Sequence, residues 1–169
     1  MSDIHIPIGL CSIKFGNDLI NYLADKAEFN AIPTYKKLKK GQFENCYLLE
    51  DYSVTFSIFL SEESYKNIQL SSPFLQKASN GLYDNPNKVN LKGLPVIIHP
   101  LDSGDSKEYD IVIFNAIVDP ENPYTRIYDK GMDRLNVKFI GLPGKSFNNQ
   151  IFKSYFYIGD WEQAGVLNA

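Results

Sequence analysis

The sequence contains few of the residues that most often carry covalent or metal chemistry. Its 169 residues include two cysteines, two histidines, two methionines and one tryptophan. Cys11 and Cys46 form no Cys-x-x-Cys pair, and neither stands at metal-ligand spacing from a histidine, which argues against a zinc site. We therefore expect two buried free thiols, and no metal or other cofactor.

The sequence also lacks the features of an exported, membrane-bound or strongly nucleic-acid-binding protein. No apolar run approaches the roughly 20 residues needed to cross a bilayer, and the first residues have neither the basic start nor the apolar core of a signal peptide. A formal net charge of -3 opposes nonspecific binding to a phosphate backbone. We expect a cytoplasmic protein, or a virion protein if the source is viral, with no membrane partner.

Aromatic residues and an alternating apolar pattern are what the sequence does have. The 11 Tyr and 11 Phe favour β-strands, because flat rings pack well on a pleated surface. Val54, Phe56, Ile58 and Leu60 are apolar at every second position, which is the period of a half-buried strand. A strand is therefore predicted within residues 43–60. Further strands are predicted near residues 88–92, 94–99, 109–118, 134–140 and 150–158.

A helix is predicted over about residues 18–28 from its start signal and its apolar face. Asn17 is a suitable N-cap, and Leu19, Ile20 and Leu23 fall on one helical face. This is the best helical pattern in the chain.

Turn-rich loops, rather than helices of ten or more residues, separate the later strands, so the sheet is predicted to be antiparallel. The predicted fold is mainly β, a β-rich α+β domain: an antiparallel barrel or sandwich with one N-terminal helix and one or two short helices. The short helices are expected from Ser61 and from Ser72-Pro73. The length suits one domain, and we divide it into an extended arm, 1–14, a β-rich core, 15–169, and a C-terminal tail, 159–169.

One near-motif for nucleotide binding occurs at Gly141–Ser146, which ends in Gly-Lys-Ser. A phosphate-binding loop needs another glycine five positions before Gly144, and it must open a helix. Phe139 occupies that position, and a predicted strand follows. The sequence therefore predicts a hairpin loop here.

His99 is the best candidate for acid–base or cation chemistry, together with Asp102, Asp105 and Asp110. The alternative is a hydrogen-bonded structural histidine at a strand end. A cysteine–histidine nucleophile pair lacks any visible third group to orient it. We therefore expect no enzyme activity and assign no catalytic residue.

The segment 119–133 is predicted to be a long exposed loop that contacts another protein. It contains Tyr124, Arg126, Tyr128 and Met132, and these residue types are enriched in protein interfaces.

A basic run suggests a second kind of partner. Lys36, Lys37, Lys39 and Lys40 follow Tyr35, and cations beside aromatic rings are typical of single-stranded nucleic-acid contacts. The alternative is a solvated connector.

The favoured function is that of a non-enzymatic structural or assembly subunit, a small β-domain that binds neighbouring subunits as a homo-oligomer or in a multi-protein complex. Extended arms can add a strand to a neighbour's sheet, and neck or tail components of virions are the analogy. The predicted interface residues are Ile4, Ile6, Ile8, Tyr124, Arg126, Tyr128, Met132 and Trp161. The alternative is an OB-like single-stranded nucleic-acid-binding protein that uses Tyr35 and the four lysines.

Overall fold

A computed structural model describes residues 9–20, 26–39, 45–61, 63–89, 91–128, 134–144 and 153–165. It contains ten β-strands and one α-helix within these ranges. The strands are β1 Cys11–Phe15, β2 Asp18–Ile20, β3 Ala27–Lys39, β4 Asn45–Leu60, β5 Leu75–Lys77, β6 Leu82–Asp84, β7 Leu94–Pro100, β8 Ile111–Val118, β9 Leu135–Leu142 and β10 Phe156–Ile158, and the helix is α1 Tyr65–Ser71.

Eight of the strands form one antiparallel sheet, in the order β2-β1-β7-β8-β9-β4-β3, with β10 also paired to β8. The remaining two, β5 and β6, form a small hairpin of their own. The described pairings leave β2 and β3 at the two ends of the sheet, so they do not close a barrel. The prediction of a mainly β, antiparallel fold is confirmed.

The sheet folds over because β8 has different neighbours along its two halves. Ile111–Ile113 pairs with β10, whereas Asn115–Val118 pairs with β9. The rings of Phe15 in β1 and Phe139 in β9 consequently lie 5.1 Å apart across the interior. This two-layered packing is the sandwich-like part of the predicted architecture.

The main core lies between the two layers and is almost entirely aliphatic and aromatic. Its buried residues are Ile13, Ile20, Val54, Phe56, Ile58, Leu60, Ile68, Val96, Ile98, Ile113, Ala116, Val118, Leu135, Val137 and Phe139. The alternating residues from Val54 to Leu60 all belong to it, as their period predicted.

The predicted N-terminal helix over 18–28 is wrong. Gly16 and Asn17 instead form a two-residue turn, in which Phe15 pairs with Asp18 and Gly16 has a φ of +61°. Such a turn joins antiparallel strands, so Asp18–Ile20 is extended. Ala27 already belongs to β3, and residues 21–25 lie outside the described ranges.

The helical start at Ser72-Pro73 is also wrong, because Ser72 ends a helix. The one α-helix in the described part begins after Ser64, whose side-chain oxygen accepts a hydrogen bond from the Asn67 amide at 3.3 Å. Ser72 is its C-cap, and its amide donates to the Ile68 carbonyl.

Of the other predicted strands, four are confirmed and one is not. Strands are confirmed at 94–100, 111–118 and 135–142, and Phe156–Ile158 is the strand within the predicted 150–158 segment. The described residues of 88–92 form no strand.

The described end of the predicted N-terminal arm is a strand. Residues 11–14 of the arm, 1–14, lie in β1, where the Ile13 side chain is buried. Residues 1–8, with Ile4, Ile6 and Ile8, lie outside the described residues.

Both cysteines are free, but Cys46 is exposed rather than buried. In the described part of the chain, no helix is long and apolar enough to cross a membrane.

The nucleotide-loop near-motif starts inside a strand, since Gly141 and Leu142 belong to β9. Residues 145–150 lie outside the described ranges. Gly144 packs so closely on β8 that a Cβ there would lie 2.3 Å from the Cβ of Phe114. This close approach, rather than phosphate binding, accounts for the glycine.

We expect Gly144→Ala to destabilise the fold by about 1–3 kcal/mol, because the Phe114 Cβ cannot move without moving its backbone. Gly81→Ala is the control, since nothing lies within 4 Å of the position of its added Cβ. Urea unfolding of both variants measures the difference. Equal midpoints for the two variants would contradict the packing argument.

Candidate functional site

A two-stranded ribbon extends beyond the end of the main sheet. Residues 54–58 of β4 pair with both β3 and β9, whereas residues 45–53 pair only with β3 among the described residues. We call residues 32–39 and 45–53 the ribbon. An isolated two-stranded hairpin is only marginally stable in water, so this projection contributes little to the core.

Large apolar side chains are exposed on the ribbon. They are Ile32, Tyr35, Leu38, Tyr47, Leu48 and Leu49. The most exposed of them, Tyr47, has 63% of its surface exposed. A concentration of this kind is unusual on a monomer and typical of a binding surface.

The register distributes these side chains over both faces of the ribbon. Tyr35 lies opposite Leu49 on one face, and the next position, Lys36, lies opposite Leu48 on the other. A bulge sets these pairs, because Glu50 has no partner between the Thr34 and Tyr35 pairs, so that Leu49 rather than Glu50 lies opposite Tyr35. Both faces of the ribbon therefore present apolar area.

The basic run lies in this ribbon, so its described part is strand rather than connector, with Lys36 and Lys37 exposed to solvent. Lys36 and Lys37 point to opposite faces of β3, because neighbouring residues in a strand alternate. Lys36 also forms an ion pair with Glu50 at 3.7 Å. The side chain of Lys39 and the whole of Lys40 are outside the described part. A nucleic-acid contact stays a prediction, with its lysines divided between two surfaces.

Polar contacts fix the start of the predicted interface loop to α1 and β9. The side-chain amide of Asn122 donates to the carbonyls of Ser71 and Asn136, both at 2.7 Å. Asp119 forms an ion pair with Lys138 at 2.9 Å. These contacts join the loop to α1 and β9, and so fix the direction in which it leaves the sheet.

Beyond Asn122 the loop exposes three of the predicted interface residues beside the N-terminus of α1. Arg126 forms an ion pair with Glu63 and lies 5.9 Å from the centre of the Tyr128 ring. Tyr124, Arg126, Tyr128 and Tyr65 of α1 line one shallow cleft. We call these four residues the loop surface. Tyr128 is 89% exposed, and Met132 lies outside the described residues.

The ribbon and the loop surface lie at opposite ends of the sheet. Strand β9 begins at Leu135, after the loop, and reaches the level of Val54 at Gly141, where the ribbon starts. Strand β8 runs the other way and enters the loop after Val118. The molecule therefore presents two different exposed surfaces, one at each end.

Apart from these two surfaces, a cluster of polar side chains surrounds His99, the histidine identified from the sequence. His99 Nδ1 lies 2.6 Å from Asp110 Oδ1, and His99 Nε2 lies 2.8 Å from the Gly104 carbonyl oxygen. Trp161 Nε1 donates to Asp110 Oδ2 at 2.9 Å. Asp110 is only 2% exposed, so these two donors satisfy a buried carboxylate.

This arrangement does not suit His99 to act as a general base. The Gly104 carbonyl is an acceptor, and so is the carboxylate form of Asp110, so with that form both bonds are made only when both ring nitrogens of His99 carry protons. A ring in that state has no lone pair with which to take a proton. Asp102 and Asp105 lie in the exposed turn that follows β7. The structural histidine is therefore the better interpretation.

The other routes to chemistry are equally unsupported by the geometry. Burial raises the pKa of the Cys11 thiol, which makes the reactive thiolate scarcer. In the ranges that the structure describes, no three His, Cys, Asp or Glu side chains are arranged to hold a metal ion.

Trp161, predicted as an interface residue, contacts its own chain. Lys107 lies 5.3 Å from the centre of its ring and forms an ion pair with Glu162. The hydrogen bond to Glu162, and then the charges of Glu162, Asp160 and Asp110, raise the pKa of Lys107. Trp161 and Tyr157 cover a second apolar cluster, formed by Ile97, Val112 and Phe114. A role of Trp161 in an interface stays a prediction.

The sequence matches no known protein-family model, and no curated protein is detectably similar to it. Its fold is similar to that of a chain in the PVC sheath–tube complex of an extracellular contractile injection system, in the extended state. The TM-score is 0.51 at 11% sequence identity, over 82% of this chain and 88% of that chain. At this identity the similarity concerns the fold.

We expect Asp110→Ala to destabilise the protein by about 2–4 kcal/mol, because it leaves the His99 and Trp161 donors without their acceptor. Asp105→Ala removes an exposed carboxylate from the same turn, and we expect a change within about 0.5 kcal/mol. Urea unfolding followed by Trp161 fluorescence measures both. Similar losses in the two variants would contradict the structural role of Asp110.

Proposed function

We propose that this chain is a non-enzymatic structural subunit that assembles with neighbouring subunits through its ribbon. The observation that carries the proposal is the set of large apolar side chains exposed on both faces of the ribbon. Covering this area would remove apolar surface from water, which is the main driving force for association. Substitutions at the exposed apolar residues of the ribbon would leave the monomer's core untouched, since these side chains do not belong to it.

The comparison supports the same class of function. The similar chain belongs to a sheath–tube complex, which is an assembly of many protein subunits. We propose that this chain likewise acts in a tail-like or virion-like assembly, among protein partners. Fold similarity alone is an analogy, so the ribbon remains the stronger argument.

The positions of the two exposed surfaces suggest how copies would join. The ribbon and the loop surface differ in composition and lie at opposite ends of the sheet, so contact between them is heterologous, head to tail. Heterologous contacts build rings when the rotation closes and open filaments when it does not. We therefore propose that the ribbon of one copy contacts the loop surface of the next.

The first test is to place charges on the ribbon. We expect the double variant Tyr47→Glu, Leu49→Glu to be monomeric at concentrations at which the unmodified protein forms larger species, with an unfolding midpoint close to that of the unmodified protein. Tyr83→Glu is the matched control, because Tyr83 is 50% exposed and lies on the β5–β6 hairpin, which is not part of the ribbon. Sedimentation velocity over a range of concentrations measures the effect.

Two results would contradict this role of the ribbon. One is an unmodified protein that stays monomeric at the highest concentration reached. The other is a ribbon variant that assembles as well as the Tyr83→Glu control.

The second test separates head-to-tail contact from symmetric pairing. The variant Tyr124→Glu, Tyr128→Glu blocks the loop surface, and the ribbon variant above blocks the other end. We expect each variant alone to be monomeric and an equimolar mixture to form a one-to-one dimer, because one intact ribbon can still meet one intact loop surface. A mixture that stays monomeric, while the unmodified protein assembles, would exclude this pair of surfaces as the contact.

A further inference from the structure

The C-terminal segment, residues 159–165, lies over the second apolar cluster and is held there by polar contacts. The Gly159 amide donates to the Asp110 carbonyl at 3.0 Å, and Trp161 Nε1 donates to the Asp110 carboxylate at 2.9 Å. Lys107 adds an ion pair with Glu162. The backbone and the side chain of one buried residue, Asp110, therefore both hold the segment.

Asp110 is in turn held by His99, and the protonation of that ring decides how many bonds it makes. With a proton on each nitrogen, His99 donates to Asp110 at 2.6 Å and to the Gly104 carbonyl at 2.8 Å. A neutral ring has one N–H and one lone pair. One of the two acceptors would then face a lone pair, and that contact is repulsive.

Charged side chains of both signs surround the His99 ring. A cavity of about 210 Å³ beside His99 is lined by five charged side chains. They are Lys14 from β1, Asp105 and Lys107 from the turn between β7 and β8, Asp110 itself, and Glu162 from the segment. Together these five groups carry one net negative charge, which an imidazolium neutralises. Glu108 and Asp160 add carboxylates to the adjoining surface.

We propose that His99 and Asp110 form a pH-dependent clamp that holds residues 159–165 over Ile97, Val112 and Phe114. The doubly protonated ring fixes the Asp110 carboxylate where Trp161 can reach it. When the ring is neutral, the His99–Asp110 contact is no longer a bond between an imidazolium and a carboxylate, whichever nitrogen keeps the proton, and the segment that Asp110 holds loosens. This inference does not depend on the proposed assembly function.

The test follows the C-terminal segment between about pH 5 and pH 8, the range in which histidine ordinarily titrates. Hydrogen exchange of the Gly159 amide, corrected for its intrinsic pH dependence, reports the backbone contact, and Trp161 fluorescence reports the side chain. We expect the protection of Gly159 to fall about tenfold as the pH rises, as loss of a charge-assisted hydrogen bond predicts.

The chain offers a matched control, because His5 is its only other histidine. His5→Gln should keep the pH-dependent change, and His99→Gln should abolish it, since glutamine forms hydrogen bonds but does not titrate in this range. Three results would overturn the clamp: a flat response in the unmodified protein, a change that persists in His99→Gln, or a change that disappears in His5→Gln.

A measurement on the unmodified protein keeps the test decisive if His99→Gln does not fold. The ¹⁵N signals of the His99 ring and of the Trp161 indole should change with the same midpoint, because the two groups share Asp110. Different midpoints, or an indole signal that does not change while the ring titrates, would show that His99 does not control the segment.

Discussion

Strand β8 hydrogen-bonds through one edge to β10 over Ile111–Ile113 and to β9 over Asn115–Val118. On its other edge the pairing with β7 shifts register between Ile113 and Ala116. Both of these residues consequently reach the main core, while Phe114 faces the second apolar cluster. The folding of the sheet, and the existence of an apolar area for the C-terminal segment to cover, both follow from this division of β8.

The ribbon follows from the same division. Strand β9 ends at Leu142, the last residue that it pairs with β8, so β4 has no second neighbour in the described part before Val54. At the base of the ribbon Tyr52 packs edge-on against Tyr155 at 5.0 Å. Burial, with smaller effects from Tyr155 and Tyr35, raises the pKa of Tyr52. The base is thus part of the folded body.

The sequence predicted the strand at Val54–Leu60 because one of its faces is buried, and burial of one face imposes period two. It failed where pairing, not burial, makes the strand. In β2 the spacing of Leu19 and Ile20 fits a helix, but the Gly16–Asn17 turn brings the segment onto β1, and tertiary pairing overrides such propensity. In β3 the lysines hide the strand, because both faces of the ribbon are exposed and no apolar alternation is required.

The candidate sites show the same limit. The sequence located His99 and Asp110, and it named Tyr124, Arg126 and Tyr128, because these residues are recognisable by type. It did not join Trp161 to Asp110, 51 positions away, since no local signal records that contact. It also read Tyr35 and the lysines as a contact for nucleic acid and gave no weight to Tyr47, Leu48 and Leu49. An apolar residue in a strand is normally taken for core, and only the absence of a third strand beside it reveals that it is surface. The position of a strand's neighbours, rather than its composition, therefore separates the core of this protein from its proposed interface.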